Sequence, residues 1–275
     1  MSDERRDPHP PAPAVLRLAE LLVRDRWGAV AEALYREIDV LANAGPGTAI
    51  FVAGCGDGVT SDRLARRTHA AVTGADPDRR LIQVADARAR AGSDNLTYEV
   101  ADLDDLPFET NVFDCAIGAP GVGAARDPER AVAELVRVTK PMGTVLLIQP
   151  TWTASLGGPQ RAGLSRALGV TPRSVMEWKR ALREAGLVEI DVQDWGDGGR
   201  PLGRLTTGSM ETVAPPSLTW RDKVHIVSHA WRRAGLRGTR DALARDEELL
   251  RELTRERALS LVLFSGVKWP HARPA

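Results

Sequence analysis

Between residues 48 and 193 short apolar runs alternate with amphipathic stretches, and this rhythm leaves few folds open to the chain. The runs 48–53, 71–75, 96–100, 112–118, 143–149 and 188–193 have the length and residue types of strands. Residues 61–68, 78–91, 128–139 and 172–185 space their apolar side chains as helices do. A helix placed between successive strands makes those strands parallel and covers both faces of the sheet. The expected class is therefore α/β, a mostly parallel sheet with helices on both faces. Such sheets take their ligands beyond the carboxyl ends of the strands.

The flanks of this region read differently. Residues 1–13 are charged and Pro-rich without an apolar stretch, which predicts a disordered tail rather than a signal peptide. Val15, Leu18, Leu22, Val30, Leu34 and Ile38 fall near helical spacing, so 14–44 is expected to hold one or two N-terminal helices, with Gly28 as a break and a turn at 43–47. The main domain is assigned to 45–275. Inside it, the Gly- and Pro-rich 196–216 and the charged helical stretches 218–234 and 239–257 form a helical insertion, 196–257, before a last strand at 258–267.

Lys plus Arg and Asp plus Glu are 37 each, so the chain lacks the excess of cations that a broad phosphate-binding face requires, and no nucleic-acid partner is expected. No window approaches the ~18 apolar residues of a membrane span. Cys55 and Cys115 have no CxxC spacing, so no metal site is expected, and so few cysteines suit a reduced, cytoplasmic protein.

The sharpest local feature is Ile50-Phe51-Val52-Ala53 running into Gly54-Cys55-Gly56-Asp57-Gly58, with a helix behind it. Glycines at alternate positions let the backbone turn sharply and approach a ligand without a Cβ in the way. A dinucleotide loop would read GxGxxG; here the third glycine falls one residue early, which suits a nucleoside better than a pyrophosphate. A tight strand-to-helix turn with no ligand is the alternative. Asp76 closes the second strand, where its carboxylate can accept from both ribose hydroxyls or, with Pro77, start the next helix. Asp102 follows the third strand and could accept from an adenine amino group; Asp104 and Asp105 beside it also read as a solvated acidic turn.

Taken in order, these segments resemble the class I S-adenosylmethionine (SAM)-dependent methyltransferases, most closely the small-molecule group that includes the ubiquinone and menaquinone biosynthesis enzymes. Gly54 to Gly58 is similar to the first motif of that family, Val72 to Asp76 to its second, and Asp102 to Phe108, with its Leu-Pro-Phe, to its third. Phe113 to Ile117 resembles the fourth-strand pattern, and Glu134 to Gly143 the helix and turn before the fifth strand. Ala185-Gly186-Leu187 is a fainter echo of the turn before the sixth. The resemblance implies a Rossmann-like, seven-stranded sheet of order 3-2-1-4-5-7-6, with residues 258–267 as an antiparallel seventh strand. It implies SAM as cofactor, held by Gly54, Cys55, Gly56, Asp57, Gly58, Asp76, Pro77, Asp102, Leu103 and Gly118. Two positions depart from the family: Val52 stands where an acidic residue is usual, and Met142 where a glycine is usual.

The acceptor is expected to be a small organic molecule, methylated at O, N or C. Gly118-Ala119-Pro120-Gly121 lacks the Asn-Pro-Pro-Tyr type of sequence found in base and amide methylases. Gln149 and Trp152, after the fifth strand, are the expected substrate-binding residues. His225 and His229 share a helix face and are the weak candidates for a general base, although the reaction need not use one. Trp27 and Tyr35 are placed to close over the cofactor, and the insertion to form an acceptor wall or a homodimer contact. The rival readings are a SAM-binding or scaffold protein without turnover, to which Val52 points, and a nicotinamide-dependent oxidoreductase, against which the glycine spacing speaks.

Overall fold

The computed structural model describes residues 28–90, 95–152, 158–159, 161–162, 165, 171–195 and 259–270. The expected tail at 1–13, the helical stretch before Gly28, the insertion at 196–257, and Trp27, His225 and His229 lie outside the described residues.

In chain order the elements are α1 (Gly28–Leu41), β1 (Ala49–Ala53), α2 (Val59–Thr68), β2 (Ala71–Asp76), α3 (Arg79–Ala89), β3 (Leu96–Val100), β4 (Phe113–Gly118), a one-turn helix at Pro120–Ala124, α4 (Pro128–Val138), β5 (Thr139–Trp152), β6 (Arg173–Ser174), α5 (Val175–Glu184), β7 (Leu187–Asp194) and β8 (Leu259–Lys268). The sheet order is β3-β2-β1-β4-β5-β8-β7, with the two-residue β6 pairing only the end of β5. β8 runs antiparallel to both β5 and β7, and the pairs among β1 to β5 are parallel. Setting β6 aside, this is the order that the resemblance implied.

The central strands are apolar throughout because both sides are covered. On β1, Ile50 and Val52 point into a core with Leu34, Tyr35 and Ile38 of α1, Leu64 of α2 and Ile82 of α3. Phe51 and Ala53 point the other way, into a core with Val132 and Leu135 of α4 and Trp178 and Leu182 of α5. Phe51, Phe108 and Phe113 form an aromatic triangle in that second core, with ring centroids 5.1–5.4 Å apart.

Several boundaries differ from expectation, each for a tertiary reason. β5 is longer than 143–149 because its partner β8 pairs with it from Thr144 to Trp152, and Thr139 already pairs with Phe113 of β4. α5 starts at Val175 rather than 172 because Ser174 and Glu177 form a capping box: the Ser174 hydroxyl accepts the Glu177 N–H, and the Glu177 carboxylate accepts the Ser174 N–H at 2.7 Å. Gly28 opens α1 within the described residues.

Candidate functional site

β1, β2 and β4 all end at the same edge of the sheet, and the loops that leave them meet there. Gly54, Gly56 and Gly58 all have positive φ, 67°, 58° and 81°, so the alternate glycines answer a backbone requirement. The loop folds back onto β2: the Gly54 and Cys55 N–H groups both donate to the Ala75 carbonyl, at 2.8 and 3.1 Å. Gly58 is the N-cap of α2 and supplies no side-chain acceptor to its first turn, leaving those N–H groups to backbone, solvent or ligand.

Asp76 ends β2 directly beside this loop. It is 3% exposed, and one oxygen accepts the Gly56 N–H at 3.0 Å while the other accepts the Asp78 N–H at 2.9 Å. A carboxylate has about four acceptor sites, so these two bonds fill half of them. Burial holds its carboxyl above the usual range, and the two backbone donors offset this only in part. Helix capping falls to Asp78, which accepts the Arg80 N–H, so Asp76 is not the cap of α3.

The position of Val52 shows how the loop is organised without the family's usual acid. Val52 is fully buried between Gly74 of β2 and Ile117 of β4, in an apolar core. The Gly56 N–H is instead held from Asp76, one strand over.

The other expected cofactor residues are distributed around the same edge. Cys55 is buried and its thiol turns toward the Gly56 carbonyl; burial, then the charge of Asp76, pushes it well above its ordinary pKa. Asp57 pairs with Arg88 of α3 at 3.0 Å, which closes the loop against the helix. Pro77 is half-buried, Asp102 is exposed and Leu103 is buried. At Gly118 a Cβ would meet Leu147 and Leu135 at 2.6 and 2.9 Å, so this glycine packs inward. The acidic turn beyond Asp102 is split: Asp105 is exposed, but Asp104 is buried and pairs with Arg126.

On the β5 side, Gln149 is 1% exposed and its amide donates inward to the Ala119 carbonyl at 2.9 Å. Trp152 is also buried, with the Arg161 guanidinium 5.6 Å from its ring centroid. Tyr35 of α1 bonds Thr60 in the first turn of α2 at 3.1 Å and carries Arg63 over its ring, which docks α1 beside the glycine loop.

Two residues that sequence reading missed complete the loop. Tyr98 of β3 donates its hydroxyl to the Gly58 carbonyl at 3.0 Å, and its ring crosses Gly74, where a Cβ would sit 2.6 Å from it. A glycine inside an apolar strand is a known mark of such close approach, and Gly74 was the available signal. Gly121, in the turn after β4, meets Gly54 directly: a Cβ on Gly54 would lie 2.9 Å from the Gly121 Cα. The fit to a nucleoside-bearing cofactor rests on these features: a buried carboxylate with acceptor capacity to spare, and a loop whose positive-φ glycines pack against Gly121 and Tyr98 with no room for a side chain at Gly54 or Gly58. Among the described residues no cluster of His, Cys, Asp and Glu could hold a metal ion.

The methyltransferase-domain family matches residues 50–143, the stretch that carries the glycine loop, Asp76, Asp102 and α4. Methyltransferase GfsG of Streptomyces halstedii is 26% identical over 194 residues, 67% of either chain. Among solved structures, a putative sarcosine dimethylglycine methyltransferase from Galdieria sulphuraria superposes with a TM-score of 0.69 at 16% identity, covering 87% of this chain and 84% of that one. The cyclase SpnF superposes at 0.67 with 20% identity, covering 90% and 83%; at such identities the likeness is one of fold. Residues 50–143 thus match a methyltransferase domain, and the sheet order is the one that the resemblance to class I SAM-dependent methyltransferases implied.

Proposed function

We propose that this protein transfers a methyl group from SAM to a small organic acceptor, at oxygen, nitrogen or carbon. Asp76 is the observation that supports the reading most: a buried carboxylate with spare acceptor capacity, at the end of β2 and bonded to the glycine loop. SAM, when bound, brings a methyl group already activated on a sulfonium. In this reading Asp76 accepts from the ribose hydroxyls, and the backbone from Gly54 to Gly58 wraps the amino-acid end. Pro77 and Leu103 flank the adenine, Asp102 accepts from its amino group, and Gly118 floors the cleft. What the chain contributes is orientation and the exclusion of water, worth roughly 7–11 kcal/mol at best.

The acceptor is assigned to the β4–β5 side, near Trp152, and a homodimer is the expected assembly. The partner is a small molecule, with neither nucleic acid nor membrane; no helix among the described residues is long and apolar enough to cross a bilayer. A reducing, cytoplasmic setting suits Cys55 and Cys115, both free and buried.

Titration calorimetry with SAM, S-adenosylhomocysteine and NAD tests the reading. Micromolar binding of the two adenosyl ligands, with none for NAD, is the expected result. Binding without methyl transfer to any of a broad acceptor panel would favour the reading without turnover, for which the apolar Val52 speaks. No adenosyl binding at all would overturn both.

A further inference from the structure

The turn after β4 is held from two sides, and each side uses a glycine. Gly121 presses against Gly54: a Cβ on Gly121 would lie 3.0 Å from the Gly54 Cα. Gly123, two residues on, leaves room for Gln149: a Cβ there would lie 2.5 Å from the Gln149 Oε1. The Gln149 Nε2 donates to the Ala119 carbonyl at 2.9 Å, and the Ala119 N–H donates to the Ala53 carbonyl of β1 at 2.9 Å. The turn at Pro120–Ala124 therefore fills a fixed gap between the glycine loop and the Gln149 amide.

We propose that Gln149 is a positioning residue for the cofactor cleft: from β5 it fixes the depth at which the 119–124 turn seats against Gly54, and through that contact the shape of the glycine loop. This rests on the reading of that loop as the adenosyl site. In this reading Gln149 acts through the turn, in place of the substrate contact expected of it. The amide can do this because it is buried, so its donor has no competing water, and because its two ends engage two points on one turn. The Ala119 carbonyl also accepts the turn's own Val122 N–H at 2.9 Å, so an apolar or anionic side chain at 149 leaves the turn closed on itself but removes the bond that ties it to β5.

The test uses S-adenosylhomocysteine as probe and the full chain. Gln149→Met keeps the volume and removes the donor. Gln149→Glu places a carboxylate against the Ala119 carbonyl at pH 8. Both variants are expected to bind the probe about tenfold more weakly at pH 8 while remaining folded by circular dichroism. The two then part as the pH falls. A carboxyl in this buried setting has a raised pKa, and once protonated it donates to Ala119 as the amide did. Gln149→Glu is therefore expected to recover its affinity relative to wild type by about pH 6, and Gln149→Met is not. A merely space-filling Gln149 predicts no such recovery. A folded Gln149→Met that binds as wild type does at pH 8, or a Gln149→Glu that is weakened at pH 8 and shows no recovery, would overturn the proposal. A wild-type chain that fails to bind the probe would instead defeat the reading of the site itself.

Discussion

Glu134 and Arg137, one turn apart on α4, grip the same loop. Glu134 accepts the Leu106 N–H at 2.8 Å; Arg137 donates to the Leu106 carbonyl at 3.0 Å and to the Phe108 carbonyl at 2.7 Å, and the two side chains pair with each other at 2.7 Å. The loop they hold connects Asp102, at the end of β3, to β4, and Phe108 from it completes the aromatic triangle. Removing the guanidinium strips two backbone carbonyls and one carboxylate of their donor. Arg137→Ala is expected to cost about 2 kcal/mol in chemical denaturation. Arg137→Lys is expected to recover less than half of that, because an ammonium cannot match the planar fork. Lys restoring full stability would show that charge alone is what the loop needs.

The same pair sets an acid limit. Burial raises the Glu134 carboxyl, but its hydrogen bonds from Arg137 and Leu106 outweigh this and hold it below its ordinary value. A folded-state pKa below the unfolded one contributes stability that is fully present above the unfolded carboxylate value of about 4.3 and is lost as pH falls through the folded value. Wild-type stability should therefore decline below about pH 4 more steeply than that of Glu134→Gln, as read by denaturation at stepped pH. Parallel curves for the two proteins would remove Glu134 from the account.

Asp76 runs the other way. Its folded pKa is raised, so burial of the charge weakens folding as pH rises from about 3.9 through the folded value, and the loss stays constant above it. Ribose hydroxyls that donate to the carboxylate favour its charged form. S-adenosylhomocysteine affinity is thus expected to fall as pH drops through the raised pKa. Asp76→Asn should bind at least tenfold more weakly at pH 7 and lose that acid dependence. Calorimetry between pH 4.5 and 8 checks both, and an unchanged affinity in Asp76→Asn would refute the ribose assignment.

How much of this was legible follows from where each constraint originates. The β1 run and the glycines after it were readable because their requirement is local: a strand covered on both faces, then a backbone with positive φ. The strand order came from the resemblance. Gly74 carried a signal as a glycine inside an apolar strand, but Gly121 and Gly123 were silent because what they make room for, Gly54 and Gln149, lies far away in the chain. The inward turn of Gln149 and the burial of Asp104 depend on partners, Ala119 and Arg126, that only the folded sheet brings close. β6 is two residues long and exists only because β5 extends to meet it, so no local pattern could announce it.

Gly74 and Tyr98 offer the cleanest separation of sterics from backbone strain. They pair across β2 and β3, and a Cβ on Gly74 would lie 2.6 Å from the Tyr98 ring and 3.0 Å from the Cys55 sulfur. The Gly74 backbone does not have positive φ, so an alanine there is strained only by what it touches. Gly74→Ala is expected to cost about 1–3 kcal/mol through overpacking. Tyr98→Leu alone should cost about as much, through the lost ring and the lost hydroxyl bond to the Gly58 carbonyl, which keeps the Asp62 N–H as its donor. Because the smaller side chain clears the new methyl, the double variant should be more stable than the two single losses added together predict, a coupling of 0.5 kcal/mol or more in the cycle. At Gly58 the same manoeuvre should fail: a Cβ there clashes with the Tyr98 hydroxyl at 2.2 Å, but φ is 81°, so the strain outlasts removal of the ring. Denaturation of the two cycles side by side decides it, and equal rescue at both positions would mean that Gly58 serves for space alone.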